Sequence, residues 1–199
     1  MIKRYLMSNR RLKRSRINNN GRMKKKALFG GSFDPPHFGH LNLAIEMLER
    51  YQFEKVFWIP AARSPFKEEV SDPGHRLEMV KLATKDIAQF EVLDLEIKRK
   101  PPSYTIDTLE ELNCDPDHFS LLLADDIYHS FSQWKEAKKI EQKVEILVVS
   151  RGNEGISIPK MEISASRIRE RLKKGLYCGH LLPANVLDYI YENQLYYTA

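Results

Sequence analysis

Cysteine is nearly absent from this chain of 199 residues: there are two, Cys114 and Cys178, far apart in sequence. They form no C-x-x-C pair and give no metal-ligand spacing, so no metal site is expected. Buried or idle thiols in a reducing cytoplasm are the simplest reading, with one disulfide as the alternative. Long apolar runs are also missing. The longest fall far short of the roughly 18 residues that a membrane-spanning helix needs, so no membrane partner is expected. Neither common nucleotide-binding glycine loop occurs, G-x-x-x-x-G-K-[ST] or G-x-G-x-x-G. No internal repeat is visible. What is present is an ordinary apolar fraction of 42%, enough for one sizeable core.

Acidic residues are missing from one place only. Residues 1–26 carry eleven lysines or arginines and no acid. The remainder holds 21 bases against 27 acids, a net of −6 behind an overall +5. The chain therefore divides into a basic leader, residues 1–25, and an acidic domain, residues 26–199, whose affinity for nucleic acid should not be read from net charge. The leader lacks the apolar content to fold and is expected to be disordered, or to precede a start at Met23. Its charge would also suit RNA or anionic lipid. Arg-rich and acid-free, it has transit-peptide composition, but it has no apolar h-region and so no secretory signal. The acidic domain is open to self-association as a homo-oligomer.

From Lys26 onward, strand and helix patterns alternate. "ALF" reads as a strand, and Leu41, Ala44, Ile45 and Leu48 follow the helical i, i+3, i+4, i+7 rule. "KVFWIP" is a strand stopped by Pro60, and "ARSPFKEEVSDPG" a long loop. "HRLEMVKLATKDI" reads as a helix, "FEVLDLEI" as a strand of period two, "TIDTLEEL" as a helix and "HFSLLLA" as a buried strand. "FSQWKEAKKI" is expected to be helical and "VEILVVS" a buried strand. Two helices close the chain: "SASRIRERLKK", ended by Gly175, and "PANVLDYIYEN", opened by Pro183. The alternation predicts a single-domain α/β fold, a Rossmann-like doubly wound parallel sheet. Ligands of such sheets bind outside the carboxyl ends of the strands.

"GGSFDPPHFGH", Gly30 to His40, sits at such an end. Gly30 and Gly31 let backbone approach a ligand closely. The next helix begins near His37 to Leu41, and its free N–H groups and dipole favour an anion. His37 and His40, three apart, share a face of its first turn. Two imidazoles at a phosphate cradle fit this pattern better than incidental histidines in a turn, or a zinc site lacking a third ligand.

These residues resemble the signature of the HxGH nucleotidyltransferase superfamily, with "HFGH" as the histidine motif. "ISASRIRERLKKG", Ile163 to Gly175, is similar to that family's carboxyl-terminal "ISSTxIR" element, with Ser166 for the usual Thr and Ala165 for the usual Ser. "SYTIDTLEEL" and "ADDIYHSFSQW", with "LLPANVLDYIYENQLY", closely resemble the nicotinate-nucleotide adenylyltransferase branch, from about Lys26 to Tyr197. Two departures stand out: Ala124 replaces a usual Gly, and "SPFK", Ser64 to Lys67, replaces "PPHK".

The resemblance implies transfer of the adenylyl group of ATP to nicotinate mononucleotide, giving the deamido dinucleotide and pyrophosphate. Another phosphate acceptor, such as phosphopantetheine, is the alternative, and nicotinamide mononucleotide stays open beside nicotinate mononucleotide. Implied roles follow. Gly30, Gly31, Ser32 and Phe33 lie along the nucleotide. His40 meets the α-phosphate region. His37, Arg169 and the helix start at Ile163, Ser164 and Ser166 meet the β- and γ-phosphates. Asp34, Lys67, Tyr104, Thr105, Asp126 and Trp134 serve the acceptor, with Trp134 stacked on the pyridine ring. Mg2+ is carried by ATP rather than by a protein cage.

Overall fold

The structure is a computed structural model and describes residues 25–63, 71–99, 102–150, 156–159 and 161–197. The basic leader up to residue 24 and the "SPFK" segment with Lys67 lie outside the described residues.

Six parallel strands form one sheet in the order β3-β2-β1-β4-β5-β6. They are β1 (Lys26–Gly31), β2 (Lys55–Pro60), β3 (Phe90–Val92), β4 (Phe119–Ala124), β5 (Glu145–Ser150) and β6 (Ile156–Ser157). Helix α1 (Phe38–Tyr51) links β1 to β2, and α2 (Pro73–Thr84) links β2 to β3. Two short helices, α3 (Leu95–Lys98) and α4 (Thr105–Glu111), precede β4; α5 (Asp125–Tyr128) and α6 (Ala137–Lys143) precede β5. Helices α7 (Ala165–Lys173) and α8 (Ala184–Glu192) close the chain. The doubly wound expectation holds. Winding reverses between β1 and β4, and a crevice opens there at the carboxyl ends of the strands.

Side-chain alternation along the strands explains the two-sided core. Ala27 and Phe29 pack into one apolar layer with Ala44, Met47 and Trp58; Leu28 packs into the other with Ile106, Leu109 and Leu121. Trp58 is fully buried, as its strand position implies. A third cluster joins α2, α7 and α8 through Met79, Ile168, Leu172, Val186 and Ile190. Among the described residues no helix is long and apolar enough to cross a membrane. Cys114 and Cys178 are buried and unpaired, and burial pushes the Cys114 thiol up to about 11, so it stays protonated near neutrality.

Three expectations need correction. "FEVLDLEI" is a strand only over Phe90–Val92, and Leu95–Lys98 turns into a helix. Val56 N–H bonds to the Gln89 carbonyl (2.9 Å) and Leu93 N–H to the Trp58 carbonyl (2.9 Å). The next bond of that ladder would need an N–H at Pro60, which has none, so β3 loses its partner there. "FSQWKEAKKI" is not one helix either. A 3-10 turn at Phe131–Gln133 is separated from α6 by Trp134 to Glu136, where Glu136 takes a left-handed φ of +55°. Finally, α2 begins at Pro73, inside the expected loop, because Asp72 caps it by accepting from Gly74 N–H (2.7 Å) and proline suits the first helical position. Gly175 does end α7, at φ +65°.

Candidate active site

The loop after β1 is packed from within. Phe33 adopts a left-handed φ of +50° and lies buried against Phe29 and Trp58, with ring centroids 5.4 and 5.1 Å away. A Cβ on Gly31 would meet the Phe33 ring at 3.1 Å, so any side chain there would have to push that buried ring back by a few tenths of an ångström. Gly30 is exposed and has no such crowding, which leaves its backbone open to a ligand.

His37 caps α1 and His40 stands one turn on. Their rings stack with centroids 3.7 Å apart at 24°. The His37 amide donates to His40 Nδ1 (3.2 Å). That bond makes Nδ1 an acceptor and leaves the neutral ring's proton on Nε2. The glycine of "HFGH" has a local cause as well. A Cβ on Gly39 would lie 3.0 Å from His37 Nδ1 and 3.7 Å from the Ile163 carbonyl. This close approach sets the start of α7 beside the start of α1. Phe38 N–H is already taken by the Leu181 carbonyl (3.0 Å), so the dipole end of α1, more than its full set of amides, faces the crevice.

At α7, Ser164 caps the helix by accepting from Arg167 N–H (3.3 Å), and its hydroxyl lies 3.2 Å from that of Ser166. The first-turn amides of Ala165 and Ser166 have no acceptor within the helix. Arg169 Nη1 donates to the Asp34 carbonyl (2.7 Å), which brings the α7 guanidinium to the histidine loop. The crevice thus gathers two helix N-termini, two imidazoles and one guanidinium, an arrangement suited to a polyanion.

These groups line one cavity of about 490 Å³. Every residue expected at the site lines it except Lys67, which lies outside the described residues: Gly30, Gly31, Ser32, Phe33, Asp34, His37, His40, Tyr104, Thr105, Asp126, Trp134, Ile163, Ser164, Ser166 and Arg169. Asp34 faces the cavity with its carboxylate already engaged by Ser71 and Tyr196. On the other wall, the Trp134 indole N–H is buried with no hydrogen-bond partner among the described residues. Lys135 Nζ sits 4.7 Å over the Tyr104 ring and 2.9 Å from Asp107 Oδ1.

Four residues around the cavity had no motif to announce them. Glu96 is buried, accepts from the Thr108 hydroxyl (2.8 Å) and lines the acceptor wall. Burial raises its pKa, against the opposing pull of the Thr108 hydrogen bond. Lys135 is the second. Arg76, fully buried, donates to the carbonyls of Ser32, Ala61, Ala62 and Ser71 and so ties the ends of β1 and β2 together. Tyr196 reaches Asp34 from the carboxyl-terminal segment. Only long-range pairing reveals them. A period-three or period-two pattern records burial, not what a buried polar group bonds to.

Residues 28–171 match the family model for cytidylyltransferase-like proteins. A Methylacidiphilum infernorum protein named "Probable nicotinate-nucleotide adenylyltransferase" is 40% identical over 185 residues, covering 85% of this chain and 91% of the relative. One of the same name from Dictyoglomus thermophilum is 39% identical over 193 residues, covering 86% and 99%. Among solved structures, a Plasmodium falciparum nicotinic acid mononucleotide adenylyltransferase complexed with NaAD superposes with a TM-score of 0.69 at 22% identity, over 87% of this chain and 97% of that one. That likeness speaks for the fold.

Proposed function

Because the chain belongs to the cytidylyltransferase-like family and, within it, to the nicotinate-nucleotide adenylyltransferases, we propose that its cavity holds ATP along β1, α1 and α7 and the acceptor against α4 and Trp134. The protein is a nucleotidyltransferase of NAD biosynthesis: it moves the adenylyl group of ATP to nicotinate mononucleotide. The observation that carries the site assignment is the stacked His37–His40 pair beside the capped start of α7 and Arg169.

The attacking atom is a phosphate oxygen of the mononucleotide, already ionised at neutral pH, so no general base is needed. It forms a bond to the α-phosphorus of ATP as the bond to the bridging oxygen breaks, and pyrophosphate departs with that oxygen. The work left to the protein is alignment of two anions and neutralisation of charge. Alignment alone can contribute about 7–11 kcal/mol. His40, with its proton on Nε2, donates to the transferring group. His37, Arg169, Ser164 and Ser166 hold the departing phosphates, and Gly30 to Phe33 carry the nucleotide. Lys67 supplies a cation to the acceptor's phosphate. Tyr104, Thr105 and Trp134 receive the pyridine carboxylate and ring.

Mg2+ fits this donor set as an ion carried by ATP. Asp126 offers a carboxylate on the cavity wall, a hard oxygen suited to a hydrated magnesium ion. When bound, the ion neutralises charge on the triphosphate and the leaving pyrophosphate. The unpaired, buried thiols support a reducing, cytoplasmic setting.

Pyrophosphate release tests the acceptor half of this reading. With ATP and Mg2+, nicotinate mononucleotide supports faster release than nicotinamide mononucleotide or phosphopantetheine. In Trp134→Ala the KM for nicotinate mononucleotide rises by about tenfold or more, from loss of one stacking contact and its packing, while the KM for ATP stays within about twofold. An unchanged KM for the mononucleotide would remove Trp134 from the acceptor site.

A further inference from the structure

Asp34 stands where three distant segments meet. One carboxylate oxygen, Oδ1, accepts from the Tyr196 hydroxyl (2.6 Å) and from the Ser71 hydroxyl, and those two hydroxyls are 3.4 Å apart. The other oxygen, Oδ2, lies 3.9 Å from Arg169 Nη1, which donates instead to the Asp34 carbonyl at 2.7 Å. Asp34 is 4% exposed and Tyr196 7%. A buried carboxylate beside a guanidinium ordinarily closes into a paired contact, since both groups are costly to bury alone. Here the ion pair is a long one, 3.9 Å, and two hydroxyls donate to the carboxylate's other oxygen.

We propose that Tyr196 is a positioning residue for nucleotide binding: with Ser71 it holds the Asp34 carboxylate away from Arg169, so that the guanidinium stays available to the triphosphate. The proposal rests on the reading that Arg169 contacts those phosphates. If Asp34 closed from this long ion pair to a hydrogen-bonded one, it would take Arg169's N–H donors and neutralise more of its charge, and the triphosphate would meet a carboxylate where it needs a cation. The tyrosine is well placed for the task. Its ring is packed in the cluster of Met79, Ile163, Ile168 and Leu187, and its backbone sits at a left-handed φ of +68° just beyond α8. Burial, and then the adjacent Asp34 charge, push its phenol above the ordinary range, so it remains a donor at any working pH.

The test is calorimetric titration with a non-hydrolysable ATP analogue, with melting temperatures and the KM for nicotinate mononucleotide read on the same preparations. Tyr196→Phe should bind the analogue about 10- to 150-fold more weakly, the worth of one hydrogen bond to a charged group. Ser71→Ala should move affinity in the same direction by less, and because Asp34 also serves the acceptor, the KM for the mononucleotide should shift in both, by a smaller factor than the analogue affinity. Adding Asp34→Asn to Tyr196→Phe should restore most of the lost affinity, because a neutral amide cannot neutralise Arg169. A plain structural brace would not be rescued this way, so a loss that Asp34→Asn leaves in place overturns the proposal. Arg169→Ala separates the two layers. If it weakens the analogue while Tyr196→Phe and Ser71→Ala do not, the positioning role fails and the Arg169 reading stands. If Arg169→Ala also binds as wild type, the reading beneath fails and takes the proposal with it. Should Tyr196→Phe melt too low to titrate, Ser71→Ala with and without Asp34→Asn decides by the same criteria.

Discussion

His40→Ala should lower kcat by about 10²- to 10³-fold, the cost of removing one fixed donor from a site of developing charge. The direction follows from the tautomer. The His37 amide donates to His40 Nδ1, so the neutral ring carries its proton on Nε2 and offers it to the transferring phosphoryl group. Alanine removes that donor, the 3.7 Å stack on His37 and the edge contact to Phe33 at 5.1 Å. It also leaves the His37 amide without this acceptor, a capping loss of about 1 kcal/mol, which a folded domain of this size tolerates. Pyrophosphate release at saturating ATP and acceptor measures kcat, and a melting curve checks the fold. A kcat within about threefold of wild type would remove His40 from the chemistry.

Arg76→Met should destabilise the protein by about 3–5 kcal/mol, through buried carbonyls left without a donor. The guanidinium is fully buried and donates to the carbonyls of Ala61 (2.6 Å), Ala62 (2.7 Å), Ser32 (2.9 Å) and Ser71 (3.2 Å). Methionine fills part of the volume and satisfies none of them. Each buried acceptor left unpaired costs about 1–3 kcal/mol, and the four are not additive, because the loops can shift to recruit water. At about 2–4 °C per kcal/mol for a domain of this length, the melting temperature should drop by roughly 10 °C. Lysine would fall between, since one ammonium with three donors cannot span four carbonyls. The effect reaches the site. Ser32 and Ala61 both line the cavity, so the surviving folded enzyme should also bind ATP more weakly. A drop of less than 2–3 °C in thermal denaturation would mean that the strand ends hold their places without this clamp.

Sheet and cradle were legible because local signals carry them. Buried apolar runs set β1, β2, β4 and β5, and the i, i+3, i+4 pattern set α1. "GGSFDPPHFGH" concentrated at one strand end the residue types a phosphate needs. The failures share a physical cause. β3 ends early because Pro60, in a neighbouring strand, lacks an N–H, and nothing within "FEVLDLEI" records that. Trp134 leaves the helical pattern with an extended backbone, two residues before Glu136 turns left-handed, and its ring packs against the cluster of Leu28, Ile106 and Phe131, a tertiary contact. Arg76 and Tyr196 were invisible as site residues because their partners are distant in sequence: for Arg76 the carbonyls of Ser32, Ala61 and Ala62 lie 14 to 44 positions away, with only Ser71 nearby, and for Tyr196 Asp34 lies 162 away. Gly39 stands in the sequence only as part of a motif; its packing reason, an imidazole and the Ile163 carbonyl within 4 Å of a Cβ there, is a tertiary contact.

The most direct measurement is a crystal structure with a non-hydrolysable ATP analogue, Mg2+ and nicotinate mononucleotide together. The triphosphate should lie between His37, His40, Arg169 and the start of α7 at Ser164, with the pyridine ring on Trp134 and the acceptor phosphate facing the α-phosphorus. Phosphates bound elsewhere in the cavity, or a pyridine ring away from Trp134, would contradict it.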